Sequence, residues 1–214
     1  MHPFPIRFLI FLSLCSLNFS CNQYRHLKKV PPQINCLEKF KPSFRREEYK
    51  ISVDVVGKHI SGLLLIKYMP DSSTRIVFTN EAGLSFFDFG FSQDDEFVVY
   101  HIVPQMNKTA LIKTLRKDFE LIMFRHMDIH KTYDLTDSTL VYHAYPQTKG
   151  VNYYITDEQC SRLISMQRAS DKKPVMEALF FDNKPGTSPD SISIRHLNFN
   201  FSIYLKKIMP LASQ

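Results

Sequence analysis

From Phe44 onward the chain repeats one local pattern: a run of β-branched and aromatic residues, then a short cluster of turn formers. The segment "YKISVDVVGKHISGLLLIKYM" predicts two strands meeting near Gly57 and Lys58. "PDSS" (70–73) reads as a turn and "TRIVFTN" (74–80) as a third strand. In "LSFFDFGF" (84–91), Phe87, Phe89 and Phe91 share one face, and Phe86, Asp88 and Gly90 the other. "QDDE" (93–96) then turns into "FVVYHIV" (97–103). Strands this short, joined by turns of a few residues, predict an antiparallel meander. A parallel sheet needs crossovers of a dozen or more residues, so that class is excluded.

One helix interrupts the strands. Across Asn107–Phe124, Leu111, Leu115, Phe119 and Ile122 fall on one side, and Lys113, Arg116, Lys117 and Glu120 on the other. Asn107, placed after Pro104, is the expected N-cap. The apolar stripe is expected to pack on the sheet. After a polar stretch (125–137), "STLVYHAYP", "VNYYITD", "CSRLISMQRA" and "KPVMEALFFDN" read as further strands. The last is "SISIRHLNFNFSIYLKKI". Ile192 and Ile194 lie on one parity, and Leu197, Phe199, Phe201, Ile203 and Leu205 on the other. A bulge near Arg195 and His196 would reconcile them. The count is nine or ten strands.

This inventory predicts a mainly β fold with helices, of the α+β class. Its form would be a strongly curved antiparallel sheet, an unclosed β-barrel with a helix across the open face. The chain has 18 Phe and 10 Tyr but no Trp, many at alternating strand positions. A sheet of this curvature leaves room for an apolar pocket able to hold acyl chains. Candidates to line it are Phe78, Phe87, Phe89, Phe91, Leu115, Phe119, Phe199 and Phe201.

The N-terminus speaks to location. Arg7 precedes about a dozen apolar or small residues, "FLIFLSLCSLNFS", the pattern of a secretory signal peptide. The run is shorter than the roughly 20 apolar residues of a membrane span. "NFSC" (18–21) approximates the cleavage site of a bacterial lipoprotein signal, with Ser20 before Cys21 and a leucine one residue early, at Leu17. Cys15 lies mid-run and fits less well. The expected division is a signal peptide at 1–20, a lipid-anchored tether at 21–43, and one domain at 44–214. Lipidation at Cys21 adds about 0.8 kcal/mol of membrane affinity per buried methylene, and several acyl chains make a stable anchor.

Lys and Arg total 27 against 21 Asp and Glu, a net charge of +6. Arg7 is the only charged residue before Cys21. Modest basicity suits anionic lipid or nucleic acid, and export excludes the latter. Arg25, Lys28, Lys29, Lys39, Lys41, Arg45 and Arg46 follow the anchor, where a basic segment attracts anionic headgroups. Cys36 and Cys160 could pair in an exported protein, or remain two free buried thiols.

No catalytic motif emerges, and no enzyme is expected. The chain lacks GxSxG and HExxH, has only 6 Gly, and shows no phosphate loop. His126 and His130 are expected as a surface pair. His59, His101, His143 and His196 lie in strands without a partner in sequence. Asp94-Asp95-Glu96 and Asp134 with Asp137 lack EF-hand spacing and read as acidic turns. No cofactor or metal is expected.

At "RIVFTNEAGLSFFDF" the chain resembles the LolB family of outer-membrane lipoprotein receptors. In that family a strand of the form R-x-x-x-T-N, here Arg75, Thr79 and Asn80, runs into a turn ending in Gly, here Gly83. "SPDSISIRHLNFNFSIYLKKI" is similar to the family's closing segment. The resemblance covers 44–208 in layout. It implies an unclosed β-barrel capped by helices, with a cavity for lipoprotein acyl chains, a periplasmic LolA-like carrier as partner, and an outer-membrane, periplasm-facing anchor. The family's turn carries an exposed leucine before the Gly that helps place cargo in the membrane. Here, in the turn Glu81-Ala82-Gly83-Leu84, that leucine position holds Ala82, a departure from the family, and membrane insertion by this turn would require Leu84, after the Gly, to substitute. The competing expectation is a structural or interaction lipoprotein of the envelope with a fully packed sheet.

Overall fold

The computed structural model describes residues 22–33, 35–182 and 184–209. The expected signal peptide and Cys21 lie outside the described residues. The elements run β1 (Lys28–Val30), β2 (Arg46–Val55), β3 (Lys58–Tyr68), β4 (Thr74–Thr79), β5 (Ser85–Phe91) and β6 (Phe97–Ile102). Helix α1 (Thr109–Ile122) follows, then β7 (Tyr133–Thr136), β8 (Leu140–Pro146), β9 (Val151–Asp157) and β10 (Leu163–Ala169). β11 (Pro174–Phe181), β12 (Ser191–His196) and β13 (Phe201–Lys207) complete the chain.

Among the described residues, thirteen strands form one sheet in the order β1-β7-β8-β9-β10-β11-β12-β13-β2-β3-β4-β5-β6. Every pairing is antiparallel, and β1 and β6 are free edges, so the sheet does not close. Period-two burial explains why these segments are strands. In β4, Thr74, Ile76 and Phe78 are buried and the residues between them are half-exposed. β12 and β13 repeat the alternation with Ile192, Ile194, Ile203 and Leu205 inward.

The curvature follows from what one helix touches. Phe119 of α1 meets the ring of Phe87 in β5, centroids 6.1 Å apart. Two residues on, the Leu121 carbonyl accepts the Tyr154 hydroxyl of β9 at 3.1 Å. β5 and β9 stand eight positions apart in the sheet order. At about 4.8 Å per strand a flat sheet would separate them by roughly 38 Å, several helix diameters. The sheet therefore curls so that its inner face surrounds the apolar stripe of α1. Register shifts at Phe78/Thr79 and Asp88/Phe89 add twist on the β4–β6 side.

Four sequence expectations are revised. The segment 21–43, expected as a tether, is packed onto the domain wherever it is described. Lys28–Val30 pairs with β7, Tyr24 stacks on Tyr153 at 4.7 Å, and a 3-10 turn (Cys36–Phe40) buries Cys36, Leu37 and Phe40. Cys36 and Cys160 form a disulfide, settling the open alternative. The C-terminal run is a hairpin rather than one bulged strand, and its parity changes because residues 197–200 are the turn between β12 and β13. With β1 and β7, that hairpin raises the strand count to thirteen. Finally, α1 is capped at Lys108, whose side chain makes no cap bond, rather than at Asn107.

Candidate functional site

An apolar cavity of about 270 Å³ lies between α1 and the inner face of the sheet. Ile51, Val53 and Val55 of β2, Ile60 of β3, Phe78, Phe87, Phe201 and Ile203 form the sheet wall. Met106, Leu111, Leu115 and Phe119 form the helix wall. The alternation that builds the strands puts every second residue of β2 and β13 into this space, while the helical repeat brings Leu111, Leu115 and Phe119 to face it. Burial decreases along β2 from Ile51 to Val55, so the cavity opens toward the β2–β3 turn. The only polar lining residues, Lys58 and Gln105, are exposed and sit at that mouth. The interior is lined by apolar side chains, which suits an apolar ligand.

The mouth has a distinctive rim. In an antiparallel sheet, the end of β2, the start of β3, the end of β4 and the start of β5 lie at one end, with the start of β13. Three turns therefore gather there. Val56 and Gly57 form the two-residue β2–β3 turn with φ of 46° and 77°, and Val56 N–H donates to the Asn200 carbonyl of the β12–β13 turn at 3.0 Å. Gly62 lets the β4–β5 turn lie close beside β3, since a Cβ there would sit 2.1 Å from the Thr79 carbonyl oxygen. The tips are apolar and exposed: Val56 77%, Leu84 57% and Phe199 50%. A valine at positive φ is sterically disfavoured, and an exposed one gains nothing from the core.

Of the sequence candidates, Phe78, Phe87, Leu115, Phe119 and Phe201 come together in the cavity wall. Phe89 and Phe91 do not. They are buried farther along β5, each against Phe97 of the edge strand at 5.2 Å. Phe199 lies outside as well, in the β12–β13 turn, because the hairpin reverses the chain there. Glu81, Ala82, Gly83 and Leu84 are the exposed β4–β5 turn. The Asn80 side chain accepts the Leu84 N–H at 2.8 Å and fixes the turn's shape. Arg75 of the same motif turns outward, pairing with Asp88 and stacking on Tyr100 at 3.8 Å.

Wider, polar clefts lie on the opposite side of α1. Lys113, Arg116, Lys117 and Lys149 line them. Burial, and then the nearby Arg168 charge, push the Lys117 pKa down.

Buried polar groups were the part that periodicity missed. Asp118 is fully buried. Its Oδ1 accepts Arg168 Nη1 of β10 at 2.9 Å, and its Oδ2 pairs with His196 Nε2 of β12 at 2.8 Å. The signal was present, since Asp118 stands three residues after Leu115 on the buried stripe. Glu120, expected on the solvent face, is buried and pairs with Arg116 at 2.6 Å and His126 at 3.2 Å. Asp134 is no loop residue: it is buried against His143 at 3.0 Å. His59 pairs with Asp54 at 2.8 Å near the mouth.

No protein-family model matches the chain, and no curated protein matches it in sequence. Among solved structures, it is similar to a DUF1329 family protein from Desulfovibrio piger. That match has 7% identity and a TM-score of 0.41, and covers 78% of this chain and 85% of the other. It is also similar to a putative outer membrane lipoprotein-sorting protein domain from Vibrio parahaemolyticus. There the identity is 5% and the TM-score 0.44, with 82% and 89% of the two chains covered. Both likenesses are distant.

Proposed function

We propose that this protein is an exported, lipid-anchored envelope protein that holds an acyl chain in its cavity. Its role is a LolB-like carrier or receptor step in lipoprotein localisation, without catalysis. The observation that carries the reading is the apolar cavity opening among exposed apolar turn tips. At roughly 30 Å³ for a group the size of water, 270 Å³ holds a chain segment of about nine methylenes. At about 0.8 kcal/mol each that is about 7 kcal/mol before ordering costs, a dissociation constant near 10 μM. A ligand held this weakly is suited to being passed on. Val56, Leu84 and Phe199 give the mouth an apolar surface for contact with a bilayer, and Lys58 supplies a positive charge among them. Cys21, by its sequence context, is the anchor. The cavity counts against the competing reading of a fully packed sheet.

The test uses a fluorescent twelve-carbon fatty acid and two rim substitutions, Ile60→Trp and Leu111→Trp, at partly buried lining positions. The wild type is expected to bind the probe in the micromolar range, and each tryptophan to weaken binding at least tenfold with the fold intact. Equal binding by wild type and both variants, or none by any, would overturn the cavity reading. Labelling with a fatty-acid analogue in cells, compared with Cys21→Ser, tests the anchor separately: unchanged labelling discards it.

A further inference from the structure

The disulfide has chemically unusual neighbours. β7 and β8 pair so that Asp134 stands directly opposite His143. Asp134 Oδ2 lies 3.0 Å from His143 Nδ1 and also accepts the Gln33 backbone N–H at 2.8 Å. The far side of the ring faces sulfur: His143 Nε2 is 3.3 Å from Cys36 Sγ and 3.0 Å from the Thr156 hydroxyl. The carboxylate fixes the ring through Nδ1, so that Nε2 faces both Cys36 Sγ and the Thr156 hydroxyl, which itself donates to the Asp157 carbonyl at 3.0 Å. Both His143 and Asp134 are almost wholly buried. A carboxylate, an imidazole and a sulfur in line stabilise a thiolate as an ion pair with imidazolium.

Both cysteines are buried to the same extent, each 8% exposed, and the two sulfurs differ only in what surrounds them. Cys36 sits in the 3-10 turn with buried Leu37 and Phe40. Cys160 sits in the β9–β10 turn, flanked by exposed Glu158, Gln159 and Ser161, at a φ of 55° that disfavours any residue with a Cβ.

We infer that Cys36–Cys160 is an exchangeable disulfide whose leaving sulfur is Cys36, and that its partner is a protein dithiol. Once the β9–β10 turn opens and uncovers Cys160, which is buried in the closed fold, a thiolate of that dithiol attacks Cys160 Sγ, forming a mixed disulfide and breaking the Cys36–Cys160 bond. The electron pair of the broken bond goes to Cys36 Sγ. The proton lost by the attacking thiol passes through solvent to His143 Nε2, giving thiolate and imidazolium side by side. The dithiol's second sulfur then attacks its own partner sulfur and releases Cys160. The dithiol ends oxidised by two electrons, and both cysteines end reduced. A stabilised thiolate is the better leaving group, so the pair sets both the rate and the direction of attack. Opening the bond frees the turn that buries Leu37 and Phe40, and so couples redox state to the order of the segment ahead of β2.

The experiment treats the native full chain with reduced glutathione or dithiothreitol between pH 5 and 9, traps with iodoacetamide, and locates the adducts by peptide mass spectrometry. Asp134 is the charged group on the ring, and Tyr145 and Glu38 are the other titratable groups in electrostatic reach of this corner. His143→Gln leaves these three groups in place, so its comparison with wild type isolates His143. The wild type is expected to place glutathione on Cys160, and to show Cys36 alkylation persisting at pH 6. His143→Gln is expected to slow reduction about tenfold and to move Cys36 alkylation to the ordinary thiol range. Asp134→Asn, which keeps the shape, should fall between. Cys160→Ser presents Cys36 as a free thiol and gives the same pH profile if either histidine-site variant folds poorly. Glutathione on Cys36, or an ordinary thiol profile for Cys36 in both wild type and Cys160→Ser, overturns the inference.

Discussion

Replacing Asp118 tests how the curled sheet is held to its helix. The carboxylate reaches from α1 to two strands at once, Arg168 on β10 and His196 on β12, which flank β11. Asp118→Ala removes both bonds and leaves a mostly buried guanidinium and a buried imidazole without an acceptor. Removing one partner of a buried pair costs about 3–5 kcal/mol, because the remaining charge stays desolvated. At about 2–4 °C per kcal/mol for a domain of this size, the melting temperature should fall by roughly 6–20 °C. Asp118→Asn keeps an acceptor for Arg168 and offers an N–H to His196, so about 1–3 kcal/mol is expected. Urea unfolding gives the free energies, and an unchanged slope confirms that the same surface unfolds. The double variant Asp118→Ala/His196→Ala should cost less than the sum of the singles by about 0.5–3 kcal/mol. Hydrogen exchange should accelerate along α1 before the β2–β3 hairpin. If Asp118→Ala stays within 1 kcal/mol of wild type and the cycle is additive, the idea that this carboxylate pins the helix is wrong.

Three more outcomes follow from single contacts. Gly62→Ala should destabilise by about 1–3 kcal/mol and shift the β4–β5 turn, because its methyl would meet the Thr79 carbonyl at 2.1 Å, backbone that cannot swing away; urea titration and the Leu84 amide resonance report it. Tyr154→Phe should cost about 1–3 kcal/mol by orphaning the Leu121 carbonyl. Because burial holds the Tyr154 pKa above the ordinary tyrosine value, absorbance titration should show this hydroxyl still protonated after the exposed tyrosines ionise. Asp157 has its pKa lowered chiefly by the Ser161 hydroxyl, with help from the Ser161 and Arg162 N–H groups. Its contribution is therefore complete above the ordinary carboxylate value and disappears as pH falls through the lowered one. In Asp157→Asn the loss of stability below about pH 4 should be shallower than in wild type; matching acid limbs would contradict that assignment.

Much of the fold was legible because its signals are local. Period-two burial in β2 through β4 and in β12 needs only alternate apolar residues. The α1 stripe needs only Leu111, Leu115, Phe119 and Ile122 at helical spacing. Strand pairing along a meander follows from short turns. Five of the fourteen lining residues were readable for the same reason, since Phe78, Phe87, Leu115, Phe119 and Phe201 are inward by pattern. Where a turn resets the count, pattern fails. Residues 197–200 placed Phe199 on a cavity wall by parity, while in the hairpin it stands in solvent. Phe89 and Phe91 have the right parity but lie too far along β5 to reach the mouth.

The sequence by itself determined the strands, the helix and the apolar character of the inner face, because side-chain alternation is set by backbone geometry within a few residues. Tertiary structure alone decided three things. It bonded Cys36 to Cys160 across 124 residues, set Asp118 between Arg168 and His196, and aligned Asp134, His143 and Cys36. Each pairing joins groups from separate elements or turns, and no local period encodes which residue of another element lies opposite. Only the curl of a thirteen-strand sheet around one helix brings such partners within hydrogen-bond reach.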